Sequence, residues 1–129
     1  EEAEAEDADG DALAPSGSLK SNVVEMGYYL RTLLRGGIAP DGTRLVSAES
    51  LAELWRPQLE EYGLGWEIQP VEGGRLISHT GAYDNFVSVI ALLPEAGYGF
   101  VLLVNSEDAG LDLTEIAAAR FAEFYSAGK

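Results

Sequence analysis

The feature that most constrains the fold is a change in hydrophobic spacing at residue 62. Before it, apolar residues recur every three or four positions, and after it they alternate or form short continuous runs between turns. Such runs are typical of an antiparallel meander. The predicted strands are "YGLGWEIQ", "RLISHT", "FVSVIALL" and "YGFVLLVN", with "VEGG" and "PEAG" as turns. We expect Leu64, Trp66 and Ile68 to share one face of the first strand, and the third strand to be buried on both faces.

A helix is predicted before the strands. Asn22 and Glu25 have the spacing of a capping box, and Gly36-Gly37 ends the helix. Its apolar face consists of Val23, Met26, Leu30, Leu33 and Leu34. Ser47 then caps a shorter helix that ends at Pro57. That helix is expected to bury Leu51, Leu54 and Trp55.

A last helix follows the strands. Asp112 and Glu115 have the spacing of another capping box. The stripe expected to cover the sheet consists of Leu113, Ile116, Ala117, Phe121 and Phe124. The order helix, helix, four strands, helix predicts an α+β fold, in which helices cover an antiparallel sheet of about four strands.

The charge is uneven along the chain. Of 129 residues 22 are acidic and 8 basic, a formal net charge of -14. Residues 1–11 hold seven acids and no base, so we expect residues 1–17 to form a flexible tail or linker and residues 18–129 to fold. A field of this sign repels nucleic acid and anionic membranes. The absence of cysteine excludes disulfides and thiolate metal sites.

The stretch "RLISHTGAYDNF" holds the only histidine, His79. One histidine excludes a zinc site built from histidines, and nothing in the sequence calls for a cofactor. A lone histidine on a strand is usually structural. Gly81, after Thr80, nevertheless lets a carbonyl or carboxylate approach the backbone closely, and the N–H of Ala82 is placed to donate to a developing oxyanion. From the residues alone, a structural and a functional role for His79 stay open.

The order of "YGLGW", "SHTG", "LLPEAGYGFVLLVN" and a terminal helix resembles the C-terminal part of the serine β-lactamase and penicillin-binding-protein superfamily. The class C-like branch, with its esterases and D-aminopeptidases, is the most similar. The stretch "APSGSLKSNVVEMGYYLRTLLRGG" resembles the helix that precedes this region in the family, so the resemblance covers residues 14–125. It implies a β-lactamase/transpeptidase-like fold and hydrolysis of an amide or ester through an acyl-serine. Family members are often exported.

The resemblance also implies roles for the triplet. His79 matches the cationic or hydrogen-bonding position of a Lys-Thr-Gly or His-Thr-Gly motif on a strand that edges the active site. Thr80 would hold a substrate carboxylate or an equivalent polar group, and Gly81 would allow close approach. The backbone N–H of Ala82 would be one of two oxyanion-hole donors.

Two departures from the family pattern matter. The family's nucleophile lies in Ser-x-x-Lys early in the chain, and we expect no serine three residues before a lysine here, since Ser16 and Ser18 stand four and two residues before Lys20. Tyr83-Asp84-Asn85 matches the family's Tyr-x-Asn by letter, yet it follows the triplet, and we interpret it as a turn. We therefore expect the chain to supply the His-Thr-Gly strand without the nucleophile and to be inactive alone. The alternative is a non-catalytic, stand-alone binding or interaction module derived from the same fold.

The family's sheet also suggests where a partner would bind. In relatives, strands from the N-terminal part of the chain pair beside the final strand. The resemblance therefore implies that Tyr98 to Asn105 is an open edge, which would pair with a second copy or with the N-terminal part of the parent protein. No partnership with nucleic acid or membrane is expected.

Overall fold

The structure, a computed structural model, describes residues 16–17 and 19–126. In this part of the chain three helices and four strands follow one another. They are α1 (Val23–Leu34), α2 (Ala48–Leu54), β1 (Glu67–Val71), β2 (Gly74–Tyr83), β3 (Phe86–Leu93), β4 (Tyr98–Val104) and α3 (Glu107–Ser126). The predicted α+β fold and element order are confirmed. The prediction that residues 1–17 form a flexible tail falls almost entirely on residues 1–15, which lie outside the described residues. None of the described helices is long and apolar enough to cross a membrane.

The strands form one antiparallel sheet in the order β1-β2-β3-β4. β1 pairs with β2 only from Glu67 opposite Ser78 to Val71 opposite Gly74. β3 pairs with β2 along a longer stretch, up to Phe86 opposite Tyr83. The outer half of β2 therefore extends beyond the end of β1 and has a strand on one side only.

Helices cover the two faces of the sheet, so the molecule has three layers. On one face, α1 and α2 close a core formed by Leu30, Leu33, Leu51, Trp55, Trp66, Ile68, Ile77 and Leu92. On the other face α3 closes a second core, formed by Leu76, Ala91, Leu93 and Ala122. β3 contributes to the two cores through Leu92 and its neighbours Ala91 and Leu93, which confirms that this strand is buried on both faces.

The ends of α1 show why the helix spans these residues. The Asn22 carboxamide accepts the N–H groups of Val24 at 3.0 Å and Glu25 at 3.1 Å. At the other end, the Gly37 N–H donates to the Thr32 carbonyl at 2.9 Å, which closes a Schellman motif. The predicted boundaries are confirmed, except that Val23 is exposed and does not belong to the packed face.

The prediction that the first strand begins at residue 62 is wrong, because β1 begins at Glu67. Gly65 has a φ of 77°, which interrupts extended backbone. The N–H of Leu64 instead donates to the Leu54 carbonyl at 3.0 Å, so this segment is tied to the end of α2. Trp66 and Ile68 enter the core as expected, whereas Leu64 is exposed.

The prediction for the last helix is also partly wrong. α3 begins at Glu107, one and a half turns before the proposed cap at Asp112. Three members of the expected stripe, Leu113, Ile116 and Phe124, are exposed. The sheet is covered by small and aromatic residues at helical spacing, of which only Phe121 belongs to the expected stripe: Gly110, Thr114, Phe121, Ala122 and Tyr125. Close approach of the helix to β3 favours this face, since a Cβ at Gly110 would lie 2.9 Å from the Cβ of Val87.

Candidate functional site

The His-Thr-Gly triplet lies inside β2. The strand continues through Gly81 to Tyr83, two residues further than the triplet. Since the last residue of β2 paired with β1 is Ser78, the whole triplet lies on the segment that has only β3 beside it. The sequence thus placed the triplet on a strand correctly, and only the pairing register shows that this segment forms an edge.

The register also determines which way the backbone groups of this edge point. A two-residue turn makes its flanking residues, Tyr83 and Phe86, a hydrogen-bonded pair, and such pairs alternate along an antiparallel ladder. The backbone groups of His79 and Gly81 therefore point toward β3. Those of Thr80 and Ala82 point outward, where no described residue pairs with them.

The register of the β1–β2 hairpin independently gives the same alternation of inward-pointing and outward-pointing backbone groups along β2. Its two-residue turn makes Val71 and Gly74 a hydrogen-bonded pair, so the next pair, Pro70 opposite Arg75, is not hydrogen-bonded. Proline has no N–H to donate, and it occupies the position where none is needed. The N–H of Ala82 therefore faces the open edge.

The side chains of the triplet alternate between the two faces of the sheet. His79 and Gly81 lie on the face that carries α1 and α2, two and four residues after the buried Ile77. Gly81 lies over Ser88, because a Cβ there would be 2.9 Å from the Ser88 Oγ. Thr80 lies on the opposite face, in the register of Val89. The three side chains do not converge on one point of the sheet face.

The imidazole of His79 is exposed. Its nearest aromatic neighbour is Tyr62, whose ring centroid is 6.4 Å away at an interplanar angle of 61°. The ring lies outside the two hydrophobic cores, so a role in core packing is excluded. No hydrogen bond joins His79 to Ser88 or to any other described hydroxyl, and the described residues therefore contain no Ser–His pair.

The sheet face around Gly81 is uncovered. Tyr83 and Phe86 form an exposed cross-strand aromatic pair at the hairpin end, with 55% and 61% of their surface accessible. Leu103 of β4 is also exposed on this face. The helices α1 and α2 cover only the end of the sheet near Ile77 and Leu92. An extended chain therefore has access to the outward amides of β2, with aromatic surface beside it.

The turn interpretation of Tyr83-Asp84-Asn85 is confirmed. Asp84 and Asn85 have φ angles of 48° and 65°, as a type I′ hairpin turn requires. The Oδ1 of Asn85 accepts the N–H of Glu107 at 3.2 Å, and the hairpin thereby caps α3. The sequence analysis missed this contact, because no local pattern links residues 22 positions apart.

One serine does stand three residues before a lysine, which corrects the expectation that no such spacing is present. The pair is Ser126 and Lys129, at the C-terminal end of α3 and after all four strands. The side chain of Ser126 and all of Lys129 lie outside the described residues. Near the start of the chain, Lys20 is exposed ahead of α1, and Ser18 is not described.

Two cavities of the described residues lie away from the triplet. One is an open cleft of about 480 Å³ between α1 and the loop after it, lined by side chains that include Tyr28, Tyr29 and Leu45. Burial raises the pKa of the Tyr29 hydroxyl. The other is a small pocket between the β1–β2 hairpin and the turn after β3. Neither is lined by the triplet. The described residues also contain no group of three His, Asp or Glu side chains able to hold a metal ion.

Comparisons with known proteins show the family of the chain. A family model described as Beta-lactamase matches residues 1–123. The chain is 27% identical over 115 residues to "Penicillin-binding protein 4" of Amycolatopsis lactamdurans. The aligned segment covers 81% of this chain and 30% of that protein. The chain is also 26% identical over 100 residues to "Unguisins hydrolase ungD'" of Aspergillus campestris (strain IBT 28561). This second aligned segment covers 73% of this chain and 19% of that protein. The chain thus spans less than a third of the length of these relatives, and it belongs to the β-lactamase family.

Proposed function

We propose that this chain forms the substrate-facing strand edge of a serine hydrolase that cleaves an amide or ester through an acyl-serine. The observation that supports this most directly is the edge of β2, where Thr80 and Ala82 direct their backbone groups away from β3 with no strand beside them. A preorganised N–H at such an edge stabilises negative charge that develops on a carbonyl oxygen. Family membership and the two relatives supply the reaction class.

In this proposal each residue of the edge has a separate task. The Ala82 N–H is one of the oxyanion donors, and the outward groups of Thr80 align the substrate backbone. Gly81 keeps the face flat, since a side chain there would meet the Ser88 Oγ. The exposed imidazole of His79 donates or accepts a hydrogen bond at the substrate. The Thr80 side chain lies on the other face of the strand, so it reaches a substrate only around the edge.

The nucleophile and its activating base are proposed to come from outside this chain. A serine needs a base within hydrogen-bond reach. Among the described residues His79 is hydrogen-bonded to no serine, and the Glu25 carboxylate accepts the Ser21 hydroxyl at an exposed position at the start of α1, away from the triplet. The relatives are more than three times as long as the segments they share with this chain, which leaves room for a Ser-x-x-Lys sequence. The chain alone is therefore expected to be catalytically silent.

The expected absence of hydrolysis is tested with a chromogenic β-lactam and a p-nitrophenyl ester, and the rates of the wild-type chain and of His79→Ala are compared. We expect the same background rate for the two proteins and no covalent adduct in the mass spectrum. Ser126→Ala and Ser88→Ala are the matched controls. Saturable hydrolysis with an acyl group on one of these serines, abolished by its alanine variant, would show that the chain carries its own nucleophile.

The strand edge is tested by titrating the ¹⁵N-labelled chain with a short N-acylated peptide amide. We expect chemical-shift changes at the amides of Thr80 and Ala82. Ala82→Pro removes the outward N–H without breaking a bond to β3, so it should abolish binding, whereas Ala82→Gly should retain it. Shift changes elsewhere, or binding that tolerates Ala82→Pro, would contradict the proposed site. A parent reading frame without an upstream Ser-x-x-Lys would favour the stand-alone binding module.

A further inference from the structure

A small hairpin stands where the open edge of β2 begins. Its outer residues, Tyr62 and Glu67, are paired by an antiparallel bridge. Inside that pair, the Gly63 N–H donates to the Trp66 carbonyl at 2.8 Å, and Gly65, with a φ of 77°, lies in the turn. Glu67 is also the residue at which the pairing of β1 with β2 stops. The hairpin therefore lies at the inner end of the open edge.

The side chain of Tyr62 extends from this hairpin to the first residue of the open edge. Its ring centroid lies 6.4 Å from that of His79, at an interplanar angle of 61°. Backbone bonds fix its position, because its N–H donates to the Leu59 carbonyl at 2.9 Å and its carbonyl accepts the Gln58 N–H at 2.8 Å. The ring is 41% exposed. The contacts that place it at the edge lie wholly within this chain, and the ring has free surface to offer a ligand.

A ligand strand on the open edge lies in line with β1. It would bond to the outward groups of Thr80 and Ala82, whereas the preceding outward residue, Ser78, is already paired with β1. Each residue advances a strand by about 3.4 Å, so Thr80 lies only about 7 Å beyond that last pair. The ligand therefore has room for one small group past Thr80, opposite His79, before it meets the hairpin.

We propose that Tyr62 is a specificity-determining residue that limits the size of the leaving group. The inference rests on the proposed function, in which the scissile carbonyl accepts the Ala82 N–H. A ligand antiparallel to β2, like the strands of this sheet, has its C-terminal part between Ala82 and His79. That part is the leaving group, and the Tyr62 ring stands at its end. The acyl part runs the other way, past Tyr83, so Tyr62 sets no limit on it.

The size limit is tested by titrating the ¹⁵N-labelled chain with three neutral ligands. Acetyl-trialanine amide is small at its two ends, whereas acetyl-trialanine benzylamide and benzoyl-trialanine amide carry one extra ring at opposite ends. We expect the small and the benzoyl ligand to shift the amides of Thr80 and Ala82 with similar affinity. The benzylamide should bind at least about tenfold more weakly, because a group too large for a fitted pocket costs this much.

Three variants separate the ring from the rest of the hairpin. Tyr62→Ala removes the limit and should raise the affinity for the benzylamide to that for the small ligand. Tyr62→Phe keeps the ring and should reject the benzylamide as the wild type does. The matched control is Tyr28→Ala, which removes a tyrosine of similar exposure, 49%, from α1 and should leave the selection unchanged. Unchanged amide shifts of Ile77 and Leu92, two residues of the core beside α1 and α2, show that a variant is folded.

The outcomes distinguish this inference from the proposed function. A wild-type chain that binds the benzylamide as well as the benzoyl ligand, or that rejects the benzoyl ligand instead, would overturn the role of Tyr62 and leave the binding edge in place. A folded Tyr62→Ala chain that still rejects the benzylamide, or a Tyr28→Ala chain that accepts it, would do the same. If none of the three ligands shifts the amides of Thr80 and Ala82, the proposed function itself is contradicted and this inference falls with it.

Discussion

At the scale of single residues, Asn85 connects two distant parts of the chain. Its positive φ closes the β2–β3 hairpin, and its side chain accepts the first N–H of α3. Asparagine suits the two roles, since it tolerates left-handed backbone better than most residues and its carboxamide is a good helix cap. The hairpin that carries the candidate site is thereby attached to the helix that covers the opposite face.

Replacement of Asn85 should separate these roles. Asn85→Ala loses the cap and strains the turn, and we expect a loss of about 2 kcal/mol in the free energy of unfolding. Asn85→Gly keeps the turn and loses only the acceptor, so it should cost less than half as much. Urea unfolding measures the two values. Equal losses for alanine and glycine would show that the backbone conformation contributes nothing.

At the scale of elements, Arg75 and Glu95 join the two hairpins at the end of the sheet opposite the candidate site. The Arg75 Nε donates to the Glu95 Oε1 at 2.9 Å, and the Arg75 backbone N–H donates to the Oε2 at 3.2 Å. A further contact from the guanidinium reaches the Trp55 carbonyl at 3.5 Å. One side chain thus ties β2 to the turn after β3 and to the end of α2.

This ion pair predicts a pH-dependent contribution to stability. Burial by itself would raise the pKa of Glu95, but hydrogen bonds from its own backbone N–H and from Arg75 outweigh burial and lower it. A carboxyl whose pKa is lower in the folded state stabilises the fold above its ordinary pKa of about 4.3. That stabilisation is lost as the pH falls through the folded-state value.

Glu95→Gln is the variant that measures this contribution. The wild type should exceed it in free energy of unfolding at neutral pH, and the difference should shrink as the pH falls below the ordinary carboxyl pKa. The effect should be modest, since the two side chains are 43% and 38% exposed. Urea unfolding at several pH values tests it, and a difference that does not change with pH would contradict the assignment.

Two phenylalanines on α3 test which face of the helix carries its packing energy. Phe121 is partly buried, with its ring centroid 4.9 Å from that of Phe100. We expect Phe121→Ala to cost about 3 kcal/mol. Phe124 is 72% exposed and its ring packs edge-on against that of Tyr125, so Phe124→Ala should cost about 1 kcal/mol or less. The reverse order in thermal or urea unfolding would mean that α3 presents its other face to the sheet.

At the scale of the whole molecule, charge opposes association. Each copy carries a formal charge of -14, and seven of the acids lie in residues 1–11, so their removal leaves -7. Repulsion between copies is largely screened beyond about 10 Å at 0.1 M salt. Any association between copies is therefore opposed by a repulsion that the ionic strength controls.

Deletion of residues 1–11 tests whether this acidic segment contributes to the fold. The same deletion should leave the melting temperature nearly unchanged, because seven like charges with little apolar area do not offset their ordering cost. Calorimetry of the full-length and the shortened chain checks this expectation. A melting temperature many degrees lower would show that the segment contributes to the fold.

The sequence by itself determined the order of elements, the ends of α1 and most of the buried residues of β3. These follow from local chemistry, namely caps, glycine turns and apolar spacing, and from the family resemblance that the comparisons bear out. Only the tertiary structure decided which face of α3 packs, since Leu113, Ile116 and Phe124 have helical spacing as regular as that of the residues that cover the sheet. The helix approaches the sheet through Gly110, where small side chains allow contact. The outward direction of the Ala82 N–H likewise depends on strand register, because a β-strand alternates its backbone groups and a shift by one residue would turn that N–H toward β3.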